Sequence, residues 1–219
     1  MSADAEDVAR LVAAWERIET WLQAHAQASA ALLRPPASDA DIAATETAMG
    51  VKLPATLAAW YRIHDGVDEN RAPSDAMRIA GILPRGWTML PLEEMANEYL
   101  MRIKYGERET GILPCARRPG DTWYGWYVDA RKGKPSYGNL GSWGVDEEDD
   151  PYPRGVGGWP LPDWLTEIAA ALELGRMMSR PDGTEEAETR PALYQGGLTW
   201  VNPRNQHLVH DVVMLDGPR

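Results

Sequence analysis

The stretch that decides the fold runs from residue 38 to residue 66 and reads SDADIAATETAMGVKLPATLAAWYRIHDG. Its pattern predicts two short helices in succession. Ser38 is a good N-cap, and Asp41 stands three residues later at the capping-box position. Gly50 is placed to end the first helix in a left-handed turn, and Pro54 suits the first position of the second helix. The final HDG triplet predicts the exit turn.

Apolar residues at helical spacing predict which side of these helices faces the core. The inner faces carry Ile42 and Met49 in the first helix, and Leu57 and Tyr61 in the second. A longer amphipathic helix of about 20 residues precedes the stretch. Its apolar positions are Val8, Leu11, Val12, Trp15, Ile18 and Leu22.

The chain after this helical region turns to strands. Two short apolar runs at 79–83 and 87–90 predict strands, and Pro91 then begins another helix. Alternating aromatic residues at 123–128 predict a strand with bulky side chains on both faces. The stretch 138–158 is rich in glycine and predicts a long irregular loop.

A last helix and two closing strands complete the order of elements. The helix runs from Pro162 to Gly175, and strands are predicted at 199–201 and 208–215. Helices, then strands, then a helix, then strands favour an α+β fold over alternating β-α-β units. We predict a single domain with a mainly antiparallel sheet packed against N-terminal helices and one late helix. The side chains expected in its core include Trp15, Leu53, Leu57 and Trp164.

Length and composition exclude several classes of protein. The chain has 219 residues, of which 44% are apolar and 25% charged, close to the average of soluble globular domains. Collagen, whole-chain disorder and a membrane bundle are therefore excluded. The acidic N-terminal residues do not resemble a secretory signal, and the lone Cys115 cannot form an internal disulfide. Both features predict a cytoplasmic protein.

The net charge of −11 restricts the choice of partners. An acidic protein repels phosphate backbones, so we expect no nucleic-acid partner and favour basic proteins. We expect no membrane partner either. The sharpest concentration of charge is Asp146, Glu147, Glu148, Asp149 and Asp150, hereafter the acidic run. The run is either a solvated loop or a contact patch for a basic partner.

Sequence signals for catalysis or cofactor binding are few. The sequence has no phosphate-binding loop and no G-x-S-x-G elbow, and Cys115 lies in an apolar stretch typical of a buried, inert thiol. His207 and His210 are three residues apart in a predicted strand and so point to opposite faces. The adjacent His64 and Asp65 could serve acid–base chemistry, or they could simply end a helix. We predict no metal, no organic cofactor and no enzymatic activity.

Several residues of the decisive stretch together resemble a known family. They are Glu46, Gly50, Leu53, Pro54, Tyr61 and the turn His64-Asp65-Gly66. Their spacing resembles the Smi/Knr-type domain of the SUKH superfamily. The helix around 161–165 resembles the closing helix of that domain, and 126–129 resembles its central strand. The resemblance spans residues 8–175.

The resemblance implies a domain layout and a function. Residues 1–175 would form the Smi/Knr-like domain, 176–192 an acidic linker, and 193–219 C-terminal strands added to the same sheet. Many bacterial members of the superfamily are immunity proteins that neutralise secreted toxins, often nucleases. The leading hypothesis is an immunity protein that binds a cognate, basic toxin and blocks its active site. The alternative is a regulatory scaffold for cell-wall or signalling enzymes, as the fungal branch of the family implies.

The acidic run and the aromatic residues around it form the predicted contact surface. Acidic side chains would attract a basic toxin over long range, and aromatic side chains would anchor it. The aromatic residues could instead pack in the core or within the glycine-rich loop. The predicted partner-binding residues are Trp143, Asp146, Glu147, Glu148, Asp149, Asp150, Tyr152 and Trp159.

Overall fold

The computed structural model describes residues 3–106, 110–144, 158–179, 189–208 and 210–215. Within these ranges the α-helices are α1 (Ala3–His25), α2 (Gln27–Ala30), α3 (Asp39–Met49), α4 (Ala55–Tyr61), α5 (Leu92–Lys104) and α6 (Leu161–Leu174). The strands are β1 (Thr88–Met89), β2 (Ile112–Arg117), β3 (Tyr124–Asp129), β4 (Leu140–Gly144), β5 (Arg190–Tyr194), β6 (Gly197–Val201) and β7 (Val212–Met214). Short 3₁₀ helices lie at Glu69–Arg71, Met77–Ala80, Pro84–Gly86 and Pro203–Leu208. None of the helices in the described ranges combines the length and hydropathy that crossing a bilayer requires.

The strands form two separate antiparallel sheets. The first is a meander in the order β1-β2-β3-β4, and the second has the order β6-β5-β7. Helix α5 packs on β2 of the first sheet, and α2 packs on β6 of the second. The long helix α1 contacts both α4 and α6, so it joins the early helices to the late one. The predicted α+β class, with antiparallel sheets and N-terminal helices, is confirmed.

One continuous hydrophobic core serves the helices and both sheets. All four side chains predicted to be buried lie in it: Trp15, Leu53, Leu57 and Trp164. Trp15 of α1 meets Trp60 of α4 edge-on, with ring centres 5.4 Å apart. Aromatic pairs favour this geometry because the positive ring edge meets the negative ring face.

The capping signals of the decisive stretch operate as predicted. The Ser38 hydroxyl accepts a hydrogen bond from the Asp41 amide at 3.1 Å, and the Asp41 carboxylate accepts from the Ser38 amide at 3.0 Å. The Ser38 hydroxyl also donates to the Asp41 carboxylate at 2.6 Å, and this bond, together with the one from the Ser38 amide, lowers the pKa of the Asp41 carboxyl. Gly50 ends α3 with a φ of 69°, and α4 begins directly after Pro54. Local chemistry alone therefore sets these helix ends.

Two of the predicted elements were wrong. The segment 79–83 is not a strand, because Met77–Ala80 forms a 3₁₀ helix whose amides bond to carbonyls three residues earlier. Part of the predicted loop 138–158 is strand β4, which pairs with β3. Gly141 of β4 is a packing residue, since a Cβ there would lie 2.0 Å from the Tyr127 hydroxyl oxygen. Glycine here makes room for a ring across the ladder and does not mark a loop.

The C-terminal strands do not extend the first sheet, which corrects the prediction. Strand β5 already begins at Arg190, inside the predicted linker, and pairs with β6 and β7. Strand β6 is attached to α2, because the Ser29 hydroxyl accepts a hydrogen bond from the Leu198 amide at 2.8 Å. The Trp200 indole donates to the Ile82 carbonyl at 3.2 Å. These bonds fasten the second sheet to α2 and to the 3₁₀ region, away from the ladder of the first sheet.

The start of the predicted acidic linker folds back onto α6. Arg176 pairs with Glu167 of α6, and the Ser179 amide donates to the same carboxylate at 2.6 Å. Met178 between them is fully buried. The part of the predicted linker at 180–188 lies outside the described residues.

Candidate partner-binding surface

His64 and Asp65 are engaged in structural contacts and not in an acid–base pair. The Asp65 carboxylate accepts from the Leu92 amide, the first of α5, at 2.8 Å, and from the Arg34 guanidinium at 3.1 Å. The His64 ring bonds to the Arg34 carbonyl through Nδ1 at 2.6 Å and to the Glu19 carboxylate through Nε2 at 3.2 Å. Among the described contacts of the two side chains, none joins one to the other. The helix-end interpretation fits this geometry.

The motif carboxylate Glu46 also stabilises the backbone. Its Oε1 atom accepts from the Leu53 amide at 2.9 Å, and its Oε2 atom accepts from the Lys52 ammonium group at 2.5 Å. These two bonds fix the turn between α3 and α4. Of the two partners that a helix carboxylate here could take, a backbone amide or an arginine, the structure shows the backbone amide, and Lys52 adds a charged partner.

Asp129 organises the turn that follows the central strand. Its Oδ1 atom accepts from the Arg131 amide at 2.9 Å, and its Oδ2 atom accepts from the Ser136 hydroxyl at 2.6 Å. Burial raises the pKa of this carboxyl, but the hydrogen bonds from Arg131 and Ser136 outweigh burial and hold the pKa below its ordinary value. An ionised carboxylate that accepts several bonds is a structural centre of the turn.

Cys115 is a buried thiol that donates to the Trp126 carbonyl at 3.3 Å. Burial raises the pKa of this thiol, which disfavours the nucleophilic thiolate. Across the described ranges, His, Cys, Asp and Glu side chains nowhere gather in threes that could hold a metal ion. The motif side chains and the thiol are therefore engaged in hydrogen bonds that stabilise the fold.

Trp143, a predicted contact residue, lies in a small core of its own with Ile112 and Tyr127. Gly125 on the neighbouring strand makes space for its ring, because a Cβ there would lie 2.1 Å from ring atoms. The Arg102 guanidinium covers the ring at 4.6 Å from its centre. This burial matches core packing, the second of the two roles considered for the aromatic residues.

Trp159, the last predicted contact residue, is also buried. Its carbonyl accepts from the Leu140 amide, the first of β4, at 2.8 Å. Its side chain lines a groove of about 510 Å³ between α1 and α6, beside Arg10 and Arg17. Trp143 and Trp159 thus hold the two ends of the segment that carries the acidic run. The acidic run itself and Tyr152 lie outside the described residues.

A group of exposed side chains that the sequence reasoning missed stands next to the start of that segment. Trp123 is 60% exposed and Tyr105 is 61% exposed, which is unusual for residues of this size. The group, hereafter the aromatic surface, comprises Leu100, Met101, Tyr105, Trp123 and Tyr124.

Buried Arg102 brings the two halves of the aromatic surface together. It lies on α5 between Met101 and Tyr105, pairs with Glu98 one turn earlier, and donates to the Thr122 carbonyl at 3.2 Å. Its guanidinium therefore joins the end of α5 to the residues that lead into β3. Because Arg102 also covers Trp143, one side chain links α5, β3 and β4.

The ladder between β3 and β4 brings the aromatic surface to the end of β4, which the acidic run follows in the sequence. Tyr124 lies opposite Gly144, the last residue of β4. The chain reaches Asp146 two residues later, and two residues span at most about 7 Å. The backbone before Tyr124 is fixed as well, because the Asp121 carboxylate accepts from the Trp123 amide at 2.8 Å.

Comparison with known proteins identifies the family. The model of the SMI1 / KNR4 family (SUKH-1) matches residues 36–168, more than half of the 219-residue chain. The chain belongs to this family. A comparison with curated proteins gave no match.

The SUKH-1 match includes the whole aromatic surface and the whole acidic run. It begins just before α3 and ends inside α6, so α1 and the second sheet lie outside it. The suspected Smi/Knr resemblance is therefore confirmed. No sequence signal separated Trp123 and Tyr124 from the buried aromatic residues of the same strand, because alternation predicts two faces without saying which of them is covered.

Proposed function

We propose that the chain is an immunity protein of the cytoplasm that binds a cognate toxin domain and blocks its active site. Membership of SUKH-1 carries the proposal, since the superfamily includes many bacterial immunity proteins that neutralise secreted toxins. Binding of this kind needs neither a catalytic group nor a cofactor. It needs a surface that is complementary to the toxin in charge and shape.

The proposed surface combines attraction with anchoring. The acidic run supplies long-range attraction to a basic toxin, in a chain whose net charge is already −11. Trp and Tyr are among the residues most enriched in interface hot spots. Trp123, Tyr124 and Tyr105 are exposed, and Tyr124 lies opposite Gly144 at the end of β4. Tyr152 belongs to the same proposed surface.

Trp143 and Trp159 enter the proposed surface as supports. Both are buried and contact β4 or its neighbours at the two ends of the segment with the acidic run. Truncating either should loosen β4 and the residues that flank the segment. Charge is the argument for active-site occlusion. If the toxin is a nuclease, its cleft is positively charged to bind phosphate backbones, and such a cleft attracts the carboxylates of the acidic run.

The test of function is rescue of growth. The proposal expects a neighbouring gene that encodes a large secreted protein with a toxic C-terminal domain, and that domain is expressed in bacteria with and without the chain. We expect growth only when the chain is present, and a complex of the two purified proteins. Toxicity that persists with the chain present and the absence of a complex would refute the immunity role. Specific binding to cell-wall enzymes instead would favour the scaffold alternative.

The acidic run is tested by association kinetics with that toxin domain. Changing its five acids to Asn and Gln should slow association more than it speeds dissociation, and salt should weaken the wild type more than the variant. The matched control changes Asp182, Glu185, Glu186 and Glu188 in the same way. Equal association rates for the two variants at low salt would place the contact patch elsewhere.

The aromatic surface is tested by dissociation kinetics. Trp123→Ala should mainly raise the dissociation rate, because a lost anchor shortens the life of the complex. Val213→Ala removes a similarly exposed apolar side chain from the second sheet and is the control. If Trp123→Ala dissociates as slowly as the control, the aromatic surface is not part of the interface.

A further inference from the structure

A second groove, of about 430 Å³, lies between the 3₁₀ region and the second sheet. The polar residues that line the groove come partly from the SUKH-1 match and partly from the chain after it. They are Arg78, Arg85, Arg118, Thr199, Asn202 and Asn205. We propose that this groove binds a compact phosphate-bearing ligand through its three arginines.

The charge of the groove is opposite to that of the protein. Arg78, Arg85 and Arg118 are exposed, and their guanidinium groups pair with no carboxylate in the described part of the chain. None of the described residues that line the groove is acidic. Eight arginines elsewhere in the described residues are paired with carboxylates, namely Arg10, Arg17, Arg34, Arg62, Arg102, Arg117, Arg131 and Arg176. Arg190 donates to backbone carbonyls instead. Three arginines that have no carboxylate partner among the described residues therefore line one groove of a protein with a net charge of −11.

Neighbouring contacts fix the side chain of Arg78 and the backbone of Arg118. The Arg78 guanidinium stacks 4.8 Å from the centre of the Tyr194 ring, which directs it along the wall of the second sheet. The carbonyl of Arg118 accepts from Arg117 at 3.1 Å, and Arg117 is itself paired with Glu69. A site whose donors are held before binding loses less conformational entropy when the ligand arrives.

Arg85 occupies a backbone conformation that favours glycine. Its φ is 66° and its ψ is 12°, in the left-handed region that side chains with a Cβ rarely adopt. The turn around it is closed by reciprocal backbone bonds between Leu83 and Trp87 at 2.9 and 3.1 Å. Glycine would serve this turn without strain, so the arginine indicates a role for its side chain.

The chemistry of the groove selects the class of ligand. A phosphate group carries up to two negative charges and three acceptor oxygens, so it can accept from several guanidinium forks at once. A carboxylate has one charge and two oxygens. A long polyanion would extend beyond the groove, where the net charge of −11 repels it over a Debye length of about 8 Å. The ligand is therefore small and rich in phosphate.

The test is calorimetric titration of the full chain at constant ionic strength. Inorganic pyrophosphate should bind saturably with one site per chain, citrate should bind more weakly, and a single-stranded oligonucleotide should not bind. Arg85→Gly and Arg118→Ala should each weaken pyrophosphate binding about tenfold, in line with the loss of charged hydrogen bonds. Arg62→Ala, which removes an exposed arginine paired with Asp39, should leave the affinity unchanged.

Stability separates a binding role from a folding role. Arg85→Gly should melt at the same temperature as the wild type or higher, because glycine relieves the left-handed backbone, while its affinity falls. The proposal is overturned if pyrophosphate does not saturate the chain or if the groove variants bind as tightly as Arg62→Ala. It is equally overturned if citrate or the oligonucleotide binds more tightly than pyrophosphate. None of these outcomes depends on the toxin.

Discussion

The decisive stretch at 38–66 and the aromatic surface use similar residue types in opposite ways. In the stretch, Glu46 and Asp65 accept hydrogen bonds from backbone amides, and Trp60 is fully buried. In the aromatic surface, Trp123 and Tyr105 are mostly exposed. The residues that carry the family resemblance in this stretch therefore build the fold, whereas the exposed aromatic side chains lie outside the stretch.

The largest contrast is expected between a buried and an exposed tryptophan. Trp60→Ala should lower the free energy of unfolding by about 3–5 kcal/mol, because it leaves a cavity beside Trp15 in the core. Denaturant unfolding followed by circular dichroism measures the change. An unaltered unfolding midpoint would show that the stretch does not depend on this packing.

Replacing Asp129 tests how much a buried carboxylate outside the decisive stretch contributes to stability. Asp129→Asn should cost about 2–3 kcal/mol at neutral pH, because bonds from Arg131 and Ser136 to a charged acceptor are lost. The folded-state pKa of Asp129 is lowered, so its stabilisation is present above the unfolded pKa of about 3.9 and disappears as the pH falls through the folded value. The gap in unfolding free energy between wild type and variant should therefore close in acid. A gap that widens in acid would contradict the assignment.

Asp65 and Asp121 each accept a hydrogen bond from a backbone amide, one in the decisive stretch and one beside the aromatic surface, so they compare the two regions directly. Asp65→Ala should destabilise the fold by about 1–2 kcal/mol, because it leaves the Leu92 amide at the start of α5 without its acceptor. Asp121→Ala removes the same kind of bond from exposed Trp123, where water can replace the carboxylate, and should cost less. Thermal unfolding of both variants measures the difference. Equal losses would mean that burial does not distinguish the two regions.

Trp123→Ala should have the smallest effect on stability, within about 0.5 kcal/mol, because the side chain is exposed. Unfolding curves that superimpose on those of the wild type check this expectation. A loss comparable to that of Trp60→Ala would show that Trp123 packs against residues outside the described ranges and is not a free anchor.

The helix ends were predictable from the sequence because their causes are local. The Ser38–Asp41 capping box needs three residues, and Gly50 and Gly175 end α3 and α6 in the left-handed conformation that glycine favours. The buried stripe of α1 was equally readable from its helical period, as the burial of Trp15 shows. These features depend on one turn of helix or on a repeat along one element.

The strands were less predictable because glycine occurs both in turns and inside strands of this chain. Gly125 and Gly141 resembled loop residues, yet each lies in a strand where a Cβ would meet Trp143 or Tyr127 across the ladder. Such a contact depends on a neighbour brought in by folding. For the same reason the pairing of β5 with β7 could not be inferred from their separate patterns.

The sequence by itself determined the fold class, the family, the helix ends and much of the core, because periodicity and capping act over a few neighbouring residues. Only the tertiary structure decided which aromatic residues are covered. The Arg102 guanidinium covers the ring of Trp143. The same guanidinium donates to the carbonyl of Thr122, yet the next residue, Trp123, is exposed. Exposure depends on what packs against a side chain from elements distant in sequence, and a pattern along one strand does not contain that information.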